Sequence, residues 1–186
     1  MTGEAGRSGG GTADGEGKGI GDAFLLRSRA LLAEAYLPRI RRCLDRLPAE
    51  DLWWRPNEAS NSVGNLVLHL VGNVRQWICA GVGDAPDTRN RAEEFERRSG
   101  ATASVLLAVL EDALHDADRV LDGLGSDDLS EVRSIQGRQV TVLDAVYHVV
   151  EHFAMHTGQI VYVTKERTDR DLAFYRMEEG IPRENF

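Results

Sequence analysis

The chain has 186 residues, 42% of them hydrophobic, which suits one domain with a proper core and leaves little room for a second. A formal charge of -8 and a pI near 5.1 argue against the basic face or stripe of a nucleic-acid binder. No apolar run approaches the roughly 20 residues of a membrane span, and the N-terminus lacks an apolar signal core. The expectation is a cytoplasmic protein with neither nucleic acid nor membrane as partner.

Residues 1–21 include nine glycines and almost no large apolar side chains, so they read as a disordered tail. One domain is expected over 22–180, with a short C-terminal tail at 181–186. A helical stripe of Phe24, Leu25, Leu31, Leu32, Ile40, Cys43, Leu44 and Leu47 follows the glycine-rich segment, with Pro38 inside it as a predicted kink. After a connection holding Trp53 and Trp54, a second helix opens around Ser60 or Ser62. It runs through Val63, Leu66, Leu70, Val74 and Ile78 to Gly81.

The stretch 84–99 begins with the breakers Asp84, Pro86 and Asp87 and continues as a charged, partly helical run. Its arginines over 89–98 alternate with Glu93, Glu94 and Glu96, and read as a solvated mixed-charge surface. A third helix is predicted over 100–123. A loop follows over 126–138, with room for a short extended piece at 134–136. A fourth helix covers 140–165, and beyond it Leu172, Phe174 and Tyr175 are expected to pack back on the body. No alternating pattern lasts long enough for a sheet, so the fold class is all-α, a four-helix bundle. Its long second and third connections permit a topology other than up-down-up-down. Cys43 and Cys79 sit in helical, apolar surroundings and read as reduced, buried thiols.

The fourth helix carries His148, His152 and His156, three of the five histidines, at four-residue spacing. Such residues stand above one another on one helical face, where two imidazoles can chelate one transition-metal ion. His148 and His156 are roughly 12 Å apart along the axis, too far for bonds of about 2.0–2.1 Å. One adjacent pair binds, and phase selects it. His156 flanks the apolar face near Ala145 and Val149, His152 lies about 40° further out, and His148 about another 40° beyond. His152 and His156 are therefore the pair aimed inward, with His148 beside them or at the surface. Phe153 stands where a zincin needs glutamate, so metalloprotease chemistry is not supported.

A third ligand must come from elsewhere. His69, the only histidine of helix 2, is the natural candidate, within the four-spaced row Asn61, Asn65, His69 and Asn73. The same row also reads as a solvated polar face. His115, among Asp112, Asp116 and Asp118, reads as surface.

The block Asn61-Ser-Val-Gly-Asn65-Leu-Val-Leu-His69-Leu-Val-Gly-Asn73, the Arg-rich 89–98 stretch with Glu94-Phe95, and His152-Phe-Ala-Met-His156-Thr-Gly-Gln159 together resemble the DinB/YfiT-like superfamily. The resemblance spans about 24–175 and is nearest to a branch known only as a domain of unknown function. It implies an up-down-down-up bundle, often dimeric, with a divalent metal, usually nickel or zinc, held by His69, His152 and His156. Some relatives are S-transferases that use low-molecular-weight bacterial thiols on small electrophiles.

Two functions follow as expectations. In the first, the protein is a metalloenzyme whose ion activates water or a thiol, with Asn65, Asn73, His148 and Gln159 orienting substrate or ligand rings. No dedicated acid/base residue stands out, so the catalytic group stays unassigned and hydrolase and transferase both remain open. In the second, the ion fixes helix 2 against helix 4 in a non-catalytic binding or interaction protein. A homodimer is expected from the resemblance and from the aromatic pair Trp53 and Trp54.

Overall fold

The computed structural model describes residues 19–186. Of the expected N-terminal tail, 1–18 lie outside the described residues, and Ile20 already begins the first helix. Four long helical segments carry the fold. The first joins α1 (Ile20–Ala30), a π turn (Leu31–Tyr36) and α2 (Leu37–Arg46). Pro38 does not break this rod, because the wide turn just before it accommodates the proline ring and its missing donor. Arg39 reaches back to donate to the Ala35 carbonyl at 2.5 Å.

The second segment is α3 (Val63–Val74) followed by another π turn (Arg75–Ala80). Ser62 caps α3 by accepting from the Asn65 amide at 3.2 Å, and the Asn65 side chain accepts from the Ser62 amide at 3.2 Å. This reciprocal pair satisfies donors that helix ends otherwise leave free. The short α4 (Arg91–Glu96) follows, then α5 (Ala103–Asp122), capped by Thr102. The long α6 (Val142–Thr168) is capped by Thr141 and Asp144 in the same reciprocal way.

Helix α3 packs on both α5 and α6, and α2 packs on both as well. Between them lie fully buried Ile40, Val67, Leu70, Leu110, Val149 and Phe153. The expected stripes thus become one core, and burying each such side chain contributes about 1.5–3 kcal/mol.

Two small antiparallel sheets depart from the all-helical expectation. β1 (Val132–Ile135) pairs with β2 (Arg138–Thr141). β3 (Tyr175–Glu178) pairs with β4 (Ile181–Glu184), which occupies the segment expected to be a tail. Each turn has two residues with positive φ, Gln136 and Gly137 in one, Glu179 and Gly180 in the other. That geometry matches the right-handed twist of the strands it joins. The extended piece expected at 134–136 straddles the first turn instead of ending in a loop. Leu172 and Phe174 pack back as expected, while Tyr175 stays exposed. Among the described residues, no helix is long and apolar enough to cross a membrane.

Trp53 and Trp54 are engaged within the chain. Trp53 lies against Gly64 and donates its indole N–H to the Ala101 carbonyl at 3.1 Å, and Trp54 stacks beneath the Arg167 guanidinium at 4.4 Å. Cys43 is buried and Cys79 half-buried, both as free thiols. Burial pushes the Cys43 thiol up to about 11, which makes it inert at neutral pH.

Candidate metal centre

Helix α3 brings His69 against His152 and His156 of α6. One ring nitrogen from each of the three lies within 4.8 Å of the others, a group that could hold a metal ion. Burial along α6 follows phase. His156 is buried and His152 half-buried, in the order that the angular offsets from the apolar face require. His148 is half-buried as well and is not a surface residue. Its ring stacks on Trp77 at 4.0 Å between centroids, its Nε2 accepts from Asn73 Nδ2 at 3.1 Å, and it lies 5.3 Å from the His152 ring.

The polar row of α3 is not solvated. Asn65, His69 and Asn73 are 0%, 5% and 2% exposed. The 84–99 stretch folds over Asn65 and His69, while Asn73 meets His148 of α6. Arg91, Glu93, Glu96 and Arg98 are solvated as expected, but the Arg89 side chain is 4% exposed and Glu94 is buried. Glu94 accepts from Arg89 through both oxygens, Nε to Oε1 at 2.7 Å and Nη2 to Oε2 at 2.9 Å, and from His69 Nδ1 at 2.8 Å. Phe95 packs its ring 4.7 Å from that of His69. Asn65 does not face the histidines. It donates to the Glu94 and Arg97 carbonyls at 2.7 and 2.9 Å, which anchors α4 and so positions Glu94.

Gly72, one turn beyond His69, makes this approach feasible. A Cβ there would stand 2.0 Å from Glu94 Oε1 and 2.8 Å from Arg89 Nε. A glycine inside a helix is an expense the local helix would not choose, so its placement signals close approach. Glu94 and Arg89 are the site residues that sequence reasoning missed as such, and Gly72 is the signal that pointed to them.

The shorter contacts assign the protons, and at His69 Nδ1 the Glu94 oxygen at 2.8 Å is nearer than Arg89 Nη2 at 3.1 Å. Glu94, a carboxylate, accepts from His69 Nδ1–H, which leaves His69 Nε2 with its lone pair inward. The 2.8 Å contact between His69 Nε2 and His152 Nε2 is then made by His152 donating. On the other side, His156 Nδ1–H donates to Gln159 Oε1 at 2.7 Å, and His156 Nε2 is buried with no hydrogen-bond partner among the described residues. A buried acceptor left unmet is costly, and a cation is the partner that a converging set of imidazoles suits.

Electrostatics agree with a set of neutral ligands. Burial, then the neighbouring His156 and His69, drive His152 down to about 3. Burial also lowers His148 and His156. Burial alone would raise Glu94, but hydrogen bonds from Arg89 and His69 outweigh it and hold the carboxyl below its ordinary range. His152 and His156 therefore stay neutral at neutral pH, and moving the His152 proton from Nε2 to Nδ1 would turn the inner lone pairs toward an ion. His115 is exposed, away from this cluster.

The profile of a family described as a protein of unknown function, DUF1572, matches residues 20–181. The crystal structure of a DinB-like protein, YjoA, from Bacillus subtilis is similar in fold, with a TM-score of 0.56 at 17% identity over 77% of this chain and 90% of that one. No curated protein matches the sequence. With its family profile covering nearly every described residue, the chain belongs to the DUF1572 family, and its fold is shared with that DinB-like structure.

Proposed function

We infer that the protein binds one divalent metal ion, zinc or nickel, through His69, His152 and His156, and works as a metalloenzyme on a substrate that enters at half-buried His152. The observation that supports this reading is the orphaned His156 Nε2, on a ring held by Gln159 and grouped with His152 and with His69, whose outer nitrogen is committed to Glu94. The family resemblance supplies the reaction class, transfer of a low-molecular-weight thiol to a small electrophile. It also supplies the up-down-down-up order and the homodimer that belong to the same reading.

When bound, such an ion would hold a thiol as thiolate at neutral pH. The chain's own residues do the rest. Glu94 and Gln159 hold the His69 and His156 rings in one tautomer each, which gives the site its ligand geometry before metal arrives. Arg89 keeps Glu94 ionised, so that Glu94 goes on accepting from His69. His148, tied to Asn73 and stacked beside His152, holds the His152 ring from the flank. Phe95 and Trp77 close the two ends of the imidazole cluster against water.

A second reading, a metal-stabilised protein without catalysis, draws on the burial of His69 and His156, which restricts access. Metal analysis of untagged protein tests the centre, with close to one ion per chain expected and a loss on His152→Ala and His156→Ala. Unchanged metal content in both variants overturns the site. A screen of thiols with small electrophiles then separates the readings: metal that raises the melting temperature while no thiol or electrophile binds favours the structural role.

A further inference from the structure

A cavity of about 560 Å³ lies between the loop before α3, the first turn of that helix and the C-terminal half of α6. Its volume falls within the roughly 300–1,000 Å³ of small-molecule sites. Both helices that carry the candidate metal ligands line it. Leu66 stands about one turn before His69 on α3, and Met155 and Gln159 stand on either side of His156 along α6. At about 100° per residue, Gln159 and Met155 project about 20° and 60° from His152 around the helix, so the cavity opens on the side of that half-buried ring. Gln159 belongs to both sites, since it lines the cavity and accepts from His156 Nδ1 at 2.7 Å.

The lining selects its occupant in two ways. The first is charge. Pro56, Leu66, Met155 and Val163 supply apolar surface, and none of the residues lining the cavity carries a charge. An ionised ligand would give up water there with no counter-ion to replace it. Met155 and Tyr162, 52% and 73% exposed, both stand on this cavity, and exposed apolar side chains gathered at one spot mark binding surfaces.

The second is hydrogen bonding. With Gln159 Oε1 committed to His156, the amide atom left for a ligand is Nε2, a donor without a partner among the described residues. The ligand must therefore present an acceptor. From the loop, half-buried Asn61 adds a second carboxamide that has no hydrogen bond among the described residues.

We propose that this cavity receives the electrophile, an uncharged and largely apolar molecule whose carbonyl-type oxygen accepts from Gln159 Nε2. Its role as electrophile rests on the metalloenzyme reading; its binding does not, and is tested without metal.

Three probes share one shape: acetophenone has the acceptor and no charge, α-methylstyrene has a methylene in place of the carbonyl oxygen, and benzoate adds a charge. In NMR titrations of the isotope-labelled, metal-free full chain, acetophenone should shift the Gln159 side-chain amide resonance saturably. α-Methylstyrene should bind about tenfold more weakly, near the worth of one hydrogen bond, and benzoate at least as weakly. Gln159→Glu keeps an acceptor for His156 Nδ1–H but offers the cavity no donor. Its metal content should stay at the wild-type level, while acetophenone, followed at the Met155 methyl, binds about tenfold more weakly. In protein loaded with paramagnetic cobalt, the methyl resonance of acetophenone should broaden on binding. No saturable binding of acetophenone at millimolar concentration overturns the proposal, and so does α-methylstyrene or benzoate binding as tightly. Undiminished acetophenone binding by Gln159→Glu overturns it as well. Acetophenone that binds without broadening beside bound cobalt overturns the link to the metal centre. A chain that binds acetophenone as described but no metal overturns the metalloenzyme reading, and with it the role as electrophile, while the binding site stands.

Discussion

Gly72→Ala sets two known effects against each other, and the structure says which wins. In an unencumbered helix the change stabilises by about 0.8–1.0 kcal/mol, because alanine has the higher helix propensity. Here the new Cβ would stand 2.0 Å from Glu94 Oε1 and 2.8 Å from Glu94 Cδ. A carboxylate at the tip of a flexible side chain can normally swing away at little cost. Glu94 cannot, because it is buried and pinned by three donor contacts from Arg89 and His69. Moving it breaks charge-assisted hydrogen bonds worth about 1.5–3 kcal/mol and strands part of a buried ion pair, whose one-sided loss costs about 3–5 kcal/mol. Partial relaxation reduces this, and the helix-propensity gain offsets some of the remainder, for a net destabilisation of about 2–3 kcal/mol. His69 also loses its orienting acceptor, which should weaken metal binding by about 10–100-fold. Urea unfolding of metal-free protein and a chelator-competition titration measure the two effects. A variant that is stabilised by about 1 kcal/mol and binds metal as tightly as wild type would refute the close approach of Glu94 to α3.

Three further outcomes follow from the same geometry. Glu94→Gln keeps the shape but leaves Arg89 as a buried, uncompensated cation, so it should cost about 3 kcal/mol in urea unfolding and lower metal affinity by at least about tenfold. Gln159→Leu removes the acceptor of His156 Nδ1–H and frees that ring, so chelator competition should show about tenfold weaker metal with little change in stability. Metal-free protein should lose stability as pH falls below about 6.5, since His148, His152 and His156 have folded-state pKa values below their unfolded ones. The unfolded chain therefore binds more protons in that window. His152, which stays neutral down to about 3, should account for about 1–2 kcal/mol between pH 6.5 and 5 after allowing for its partial exposure. Unfolding free energies that stay flat from pH 7 to 5 would contradict the burial of these rings in neutral form.

How far the sequence reaches can be traced through individual residues. The apolar stripes located all four long helical segments, because burial periodicity is a local property of each segment. The same periodicity ordered the α6 histidines, and His156, His152 and the core face stand in the order that 100° per residue requires. The hairpins escaped because four-residue strands are too short to establish alternation. Their Gln136-Gly137 and Glu179-Gly180 turns were the better signal. Pro38 suggested a kink, whereas a π turn absorbs it, a choice that depends on packing around the whole first segment.

By itself, the sequence determined that this is a mostly helical domain and that one helix presents adjacent imidazoles four residues apart. Only the tertiary structure decided what surrounds them. Asn65, His69 and Asn73 are polar in sequence and, on α3 alone, would face water. Asn65 and His69 are buried because the charged 84–99 connection folds over them, and Asn73 because it meets His148 of α6. Arg89 and Glu94 likewise look like solvated surface until the pair closes over Gly72 and takes His69 as its third member. The physical reason is common to both cases: helical periodicity says which side of a segment is apolar, but the partner of a polar side is chosen by whichever distant segment can satisfy its hydrogen bonds and charge out of water.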